Sequence, residues 1–172
     1  MITPVPKPQP RVKSKRIPKV KSLKRECLDL WTACIYIRAG FKSELSGKSA
    51  HLNEKGDRVI GCNMHHIAHK PNYRLMFELN NGICLTSGEH SFGVHGENAE
   101  EYRAKIIQAI GQTKWDWLHS LKHDNAKTNL ALVKIYLRQQ LWGWVKFQKE
   151  RNPSELLTVY LKQIGWNEVK RA

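Results

Sequence analysis

Histidine is concentrated in one short stretch of the chain. Of the eight histidines, five lie between His65 and His95. Neutral imidazole is a good ligand for zinc, nickel and related divalent ions. Metal chemistry is therefore the first explanation for this density, and the fold must allow distant parts of the stretch to meet.

The residues around these histidines predict two strands, a loop and a helical turn. Residues 59–64 have the composition of a strand, and residues 82–86 that of its antiparallel partner. The loop between them contains Pro71 and Asn80, which are poor strand formers. A Ser-Gly turn ends the second strand, and a helical turn is expected from Glu89.

This order brings the end of the first strand close to the start of the helix. His65 is thereby expected near His90. Adjacent residues on a strand point to opposite sides, so His65 and His66 face different ways. One of them can hold a metal while the other faces a water molecule beside that metal.

Four residues in this context carry a family resemblance. His65, His66, Asn81 and His90 resemble the signature of the HNH endonucleases, and residues 65–90 are similar to phage-type members. The resemblance covers residues 30–110. It implies a ββα-metal fold, in which a two-stranded ribbon and a helix surround one divalent ion. It also implies hydrolysis of DNA to 5′-phosphate and 3′-hydroxyl ends.

The resemblance also implies a role for each matching residue. His65 and His90 would be metal ligands, His66 the general base, and Asn81 the residue that fixes the loop and the base. His95 lies where some members carry a further ligand, although it follows His90 by five residues rather than four. The expected ion is magnesium, with manganese, nickel or zinc as alternatives.

Two basic residues of the loop are further candidates. Arg74 could neutralise charge on the scissile phosphate, and a plain surface arginine is an equal alternative. Lys70 could contact the DNA backbone.

The chain departs from many relatives in its cysteines. Such relatives hold a structural zinc through two pairs of cysteines, and the matching positions here are Ser43, Ser46, Thr86 and Glu89. No Cys-x-x-Cys occurs in the sequence. Structural zinc normally needs four thiolate or imidazole ligands. We therefore expect no structural zinc, and hydrophobic packing in its place.

The net charge of +14 is unevenly distributed. Residues 1–25 hold nine Lys/Arg and no acid, residues 26–113 hold nine against ten, and residues 114–172 hold eleven against five. A polyanion would be bound by the flanks and presented to a nearly neutral core. The expected partner is DNA.

Residues 1–21 contain five of the seven prolines and predict a disordered basic arm. The arm could bind the phosphate backbone of DNA, or it could be only a solubilising tail. The candidate DNA contacts in it are Arg11, Lys13, Lys15, Arg16, Lys19 and Lys21.

Apolar spacing predicts the remaining elements. One helix precedes the ribbon, over residues 22–39, and residues 41–57 read as loop. The helices expected after the ribbon lie over residues 98–111, 113–121, 128–150 and 153–164. The fold class is therefore α+β; the resemblance implies an HNH core over residues 22–111, and a helical extension is expected over residues 112–172. Most of the tryptophans fall in the extension, where helical spacing favours core packing over base stacking.

These patterns favour a metal-dependent DNA endonuclease of phage or mobile-element origin. Nicking or homing enzymes and branched-DNA recombination nucleases both remain open, and the latter would be a symmetric homodimer. The alternative is a catalytically inactive DNA-binding protein on an HNH scaffold. No apolar run reaches the roughly 20 residues that span a bilayer. Four scattered cysteines fit a reducing compartment, here the cytoplasm of a bacterial host.

Overall fold

The computed structural model of this chain describes residues 22–68, 73–124 and 127–166. Their fold is mixed α+β, with 63% helix and two small antiparallel sheets. The predicted disordered arm, with its candidate DNA contacts, and Lys70 lie outside the described residues. Among the described helices, none is long and apolar enough to cross a bilayer.

Helix α1, Leu23–Arg38, precedes the strands and matches the helix predicted over residues 22–39. It begins at Ser22, whose side chain accepts a hydrogen bond from the Arg25 N–H at 3.3 Å. This bond satisfies one of the amide groups that the first turn leaves unpaired. The buried face of α1 includes Trp31 and Ile35, which lie against the strands.

The ribbon consists of strands β3, Cys62–His66, and β4, Gly82–Thr86, paired antiparallel. In this register His65 lies opposite Ile83, and His66 lies opposite Gly82. Short helix α2, Tyr73–Phe77, and a 3-10 turn, Leu79–Asn81, connect the two strands. The sequence predicted only a loop there.

The predicted strand over residues 59–64 is interrupted at Gly61. This glycine has φ +101°, a conformation that side chains with a Cβ rarely adopt. Residues before it form β2, Val59–Ile60, which pairs with β1, His51–Leu52. The prediction of a loop throughout residues 41–57 is therefore wrong at β1, because a two-residue strand is too short to show alternation.

Strand β4 is buried on both faces, between two hydrophobic clusters. Cys84 belongs to the larger cluster, with α1 and the last two helices, whereas Ile83 and Leu85 belong to the smaller one. Successive strand residues point to opposite faces, so an uninterrupted apolar run is what such a strand requires.

After β4 the described residues form a π-helix, Glu89–Val94, and then four α-helices. They are α3, Ala99–Ile110; α4, Gln112–Ser120; α5, Leu130–Arg151; and α6, Glu155–Gln163. A 3-10 turn, Leu121–His123, follows α4. Helix α5 packs along α1, and α6 joins the same cluster. The predicted extension therefore shares buried residues with the predicted core.

The tryptophans of this region fall into two groups. Trp115 is buried, and Trp144 and Trp166 pack against the larger cluster. Trp117 and Trp142 remain about two-fifths exposed, at 40% and 42%. The prediction of core packing holds for the first group and is wrong for the second, because helical spacing does not tell which face of a helix is covered.

Candidate metal centre and the histidine beside it

Three histidines converge at one end of the ribbon. His65 is on β3, and His90 and His95 are at the two ends of the π-helix. Each ring offers one nitrogen, and these three nitrogens all lie within 4.8 Å of one another. The ring centroids are 4.8 to 5.3 Å apart. The structure thus brings together all three residues named as ligand candidates.

The π-helix accounts for the unusual interval between His90 and His95. In a π-helix residue i bonds residue i+5 rather than i+4, so side chains five apart lie on the same face. The close approach of α3 also requires Gly93, because a Cβ there would lie 2.7 Å from the Tyr102 ring. The wide interval is therefore compatible with a shared metal.

The chemistry of this cluster suits a metal. Burial lowers the pKa of His90 below its ordinary value, and the nearby His95 lowers it further. The neutral imidazole, which is the form that binds metals, is thereby favoured near pH 7. Among the described residues, this group of possible metal ligands contains imidazoles and no carboxylate.

His66 is held on two sides by groups far away in the sequence. Its ring stacks on the indole of Trp31, with centroids 3.9 Å apart and planes 6° from parallel. Its Nε2 lies 2.9 Å from the Met76 carbonyl oxygen. A carbonyl only accepts hydrogen bonds, so Nε2 carries the proton and the neutral ring has its lone pair on Nδ1.

Asn81 connects the two ends of the segment that leads to Met76. Its side-chain oxygen accepts a hydrogen bond from the Ala68 N–H at 2.7 Å. Its amide nitrogen donates to the carbonyl oxygens of Ala68, at 3.1 Å, and Leu75, at 2.9 Å. Asn81 is fully buried. The amide thereby ties the residues before Met76 to the strand that carries His66.

Helix α1 binds the backbone that follows Met76, between Glu78 and Gly82. Trp31 donates from Nε1 to the Glu78 carbonyl oxygen at 3.0 Å. Arg38 donates to the carbonyl oxygens of Leu79 and Gly82, each at 2.9 Å. The sequence predicted α1 as scaffold alone, and no local signal pairs Trp31 with a histidine 35 positions later.

Arg74 is engaged with a residue of the second half of the chain. Its guanidinium forms an ion pair with Asp124, and half of the Arg74 side chain is exposed. Its charge is thus partly compensated where it lies, and a role at a phosphate would require a different partner.

The four positions matched to zinc cysteines also converge, but as hydrogen-bonding groups. Glu89 accepts from the Ser43 hydroxyl and from the Thr86 N–H, both at 2.7 Å. Ser43 in turn accepts from the Ser46 N–H at 3.2 Å. Burial alone would raise the pKa of Glu89, but hydrogen bonds from Ser43, Thr86 and Ser46 lower it below the ordinary value.

These four positions are joined by hydrogen bonds, whereas the hydrophobic packing expected in place of a structural zinc lies in the two clusters around β4. A carboxylate accepting several hydrogen bonds connects the loop before β1 to the start of the π-helix. The four cysteines are free and buried, and burial raises the pKa of Cys34 to about 12.

Comparisons with models of protein families, with curated proteins and with solved structures find no match to this chain.

Proposed function

We propose that the protein is a metal-dependent DNA endonuclease of the HNH type, with β3, β4 and the π-helix as its ββα-metal core. The observation that carries the proposal is the convergence of His65, His90 and His95, together with a separately held His66 that follows His65 on the same strand. An enzyme that hydrolyses phosphodiesters with one ion needs those two parts, a ligand set and a base.

The ligand set favours some ions over others. Three imidazoles would hold zinc or nickel better than magnesium or manganese, which suit oxygen ligands. Magnesium, the ion expected from the sequence, fits these side chains less well. When bound, the ion would polarise the phosphate and stabilise the leaving 3′ oxygen.

His66 supplies the base. With its proton on Nε2, the neutral ring can accept a proton from the attacking water at Nδ1. The hydrogen bond from Nε2 to the Met76 carbonyl oxygen then stabilises the positive charge that the ring acquires. The products would be 5′-phosphate and 3′-hydroxyl ends.

The charge of the chain supports a nucleic-acid substrate. The net charge is +14, and all of the positive excess lies outside residues 26–113. Lysine and arginine that neutralise phosphates release condensed counterions, which drives association with DNA. A phage or mobile-element source and action in the bacterial cytoplasm belong to the same proposal.

The test is cleavage of supercoiled, linear and four-way-junction DNA with zinc, nickel, manganese or magnesium, and with chelator. Metal-dependent cleavage that chelator abolishes would support the proposal. Preference for the junction by a dimeric protein would identify a branched-DNA nuclease. Binding of DNA without cleavage under any metal would favour the inactive scaffold instead.

A further inference from the structure

Helix α1 contributes an aromatic ring to the surroundings of His66. Trp31 is 2% exposed, and its indole stacks face to face on the imidazole. A stack with planes 6° from parallel fixes the plane of the imidazole. The bond from Nε2 to Met76 fixes the rotation of the ring within that plane. Together these two contacts define where Nδ1 lies.

The indole is itself fixed by its surroundings. Its N–H donates to the Glu78 carbonyl oxygen at 3.0 Å. Its ring lies over Gly82, which is opposite His66 in the ribbon. A Cβ at position 82 would come within 2.8 Å of the Trp31 ring. Gly82 therefore makes room for the indole against the strand, where it can reach His66.

We propose that Trp31 is a positioning residue for His66, so that α1 is a functional part of the nuclease. This inference rests on the proposed function, because it assigns a purpose to the orientation of the base. Displacing a reacting group by about 1 Å can reduce a rate by about 100-fold. The loss of the indole should therefore act on kcat, while substrate and metal binding remain.

Trp31→Leu removes the aromatic face, and Trp31→Phe retains one. Tyr36→Leu is the matched control, because Tyr36 is an equally buried aromatic residue of α1 whose ring packs on Phe41 and Tyr160, away from His66. We expect kcat to fall by about 100-fold in Trp31→Leu, with KM and metal affinity little changed. Trp31→Phe should recover most of the loss, and Tyr36→Leu should keep kcat.

A second readout needs neither metal nor activity. In the metal-free protein, the ring current of an indole 3.9 Å away should shift the His66 ring protons upfield in the proton NMR spectrum. Trp31→Leu should remove this shift, and Tyr36→Leu should leave it. The wild-type spectrum alone tests the contact, even if Trp31→Leu fails to fold.

The outcomes separate this inference from the proposed function. Ordinary His66 shifts in the wild type, or equal losses of kcat in Trp31→Leu and Tyr36→Leu, would overturn the positioning role while DNA cleavage stands. A wild type that shows the upfield shift and cleaves no DNA with any metal would instead overturn the proposed function, and the positioning role with it.

Discussion

Asn81 ties the backbone after the strand that carries His66 to helix α2. The buried amide bonds the backbone of Ala68 and of Leu75, and Met76 follows Leu75 directly. Removing a buried amide leaves several backbone groups unpaired, and each such group costs about 1–3 kcal/mol. The orientation of the proposed base therefore depends on a residue that is neither a ligand nor a base.

Glu89 offers a test of what its hydrogen-bonded cluster contributes to the stability of the fold. Glu89→Gln should lower the free energy of unfolding by about 1–3 kcal/mol, because hydrogen bonds to a charged acceptor are stronger than those to a neutral one. Chemical denaturation measures the effect. Glu54→Gln, at an exposed glutamate, is the control and should be nearly neutral. Equal stability of the two variants would show that the Glu89 cluster does not stabilise the fold.

The ligand histidines can be tested by the stability that a metal adds. A ligand present at about 100 times its Kd raises the free energy of unfolding by about 2.7 kcal/mol. Nickel or zinc should therefore raise the Tm of the wild type and of His123→Ala, at an exposed histidine outside the cluster. His65→Ala should lose this increase. An undiminished increase in His65→Ala would show that the ion binds elsewhere.

Among the elements, the π-helix decides whether His95 can join the site. An α-helix would separate residues 90 and 95 by about 140° around its axis, from 3.6 residues per turn. The wider turn of a π-helix brings them back to one face. Glu89, at its first residue, and Gly93, beneath Tyr102, attach this helix to the rest of the fold.

Gly93→Ala tests that attachment. The added methyl group would meet the Tyr102 ring and displace the π-helix, so metal affinity should fall by about 10- to 100-fold, as for other changes that disturb ligand orientation. Gly88→Ala is the control, because a Cβ there meets no atom within 4 Å. Isothermal titration with nickel measures both. The same affinity in the two variants would refute the role assigned to the π-helix.

The long elements were predictable from sequence, and the short ones were not. Apolar spacing located α1 and α5, and strand composition located β4 and the first three residues of β3. Helix α2 and strand β1 escaped, because five-residue and two-residue elements leave no periodic signal and depend on tertiary contacts. The helical turn expected from Glu89 is present, but its π form was not predictable, since π-helices are rare and have no propensity pattern of their own.

The site was predictable to a comparable degree. The histidines expected to meet, His65 and His90, do lie together, and His95 joins them. The stack of Trp31 on His66 was not predictable, because a tryptophan on a helix and a histidine on a strand can each serve several other purposes, and no sequence pattern pairs these two. The sequence indicated the four positions Ser43, Ser46, Thr86 and Glu89 as a group, but it did not indicate that hydrogen bonds join them.

At the scale of the whole molecule, hydrophobic packing joins the helices, and part of the basic charge is paired. The larger hydrophobic cluster joins α1 to α5 and α6. Some basic residues of α5 already have partners, since Lys134 pairs with Glu26 of α1 at 2.6 Å. The positive charge of the basic residues of α5 is thus partly neutralised; these residues are Lys134, Arg138, Lys146, Lys149 and Arg151. The first 21 residues carry seven Lys/Arg and no acid.

Deletion of residues 1–21 should therefore weaken DNA binding and flatten its dependence on salt. Each phosphate contact that is lost lowers the slope of log K against log salt by about 0.9. Binding of duplex DNA at several salt concentrations measures both quantities. A variant with the seven basic residues changed to glutamine separates charge from length. Unchanged binding at every salt concentration would make the segment a solubilising tail.

The central claim is that one group of imidazoles holds an ion while a different imidazole activates water. The most direct test is the rate of plasmid cleavage by His66→Ala at saturating metal. The rate should fall by at least about 100-fold, the usual lower bound for losing a general base, although the three proposed ligands at positions 65, 90 and 95 remain. Cleavage at the wild-type rate would contradict the account.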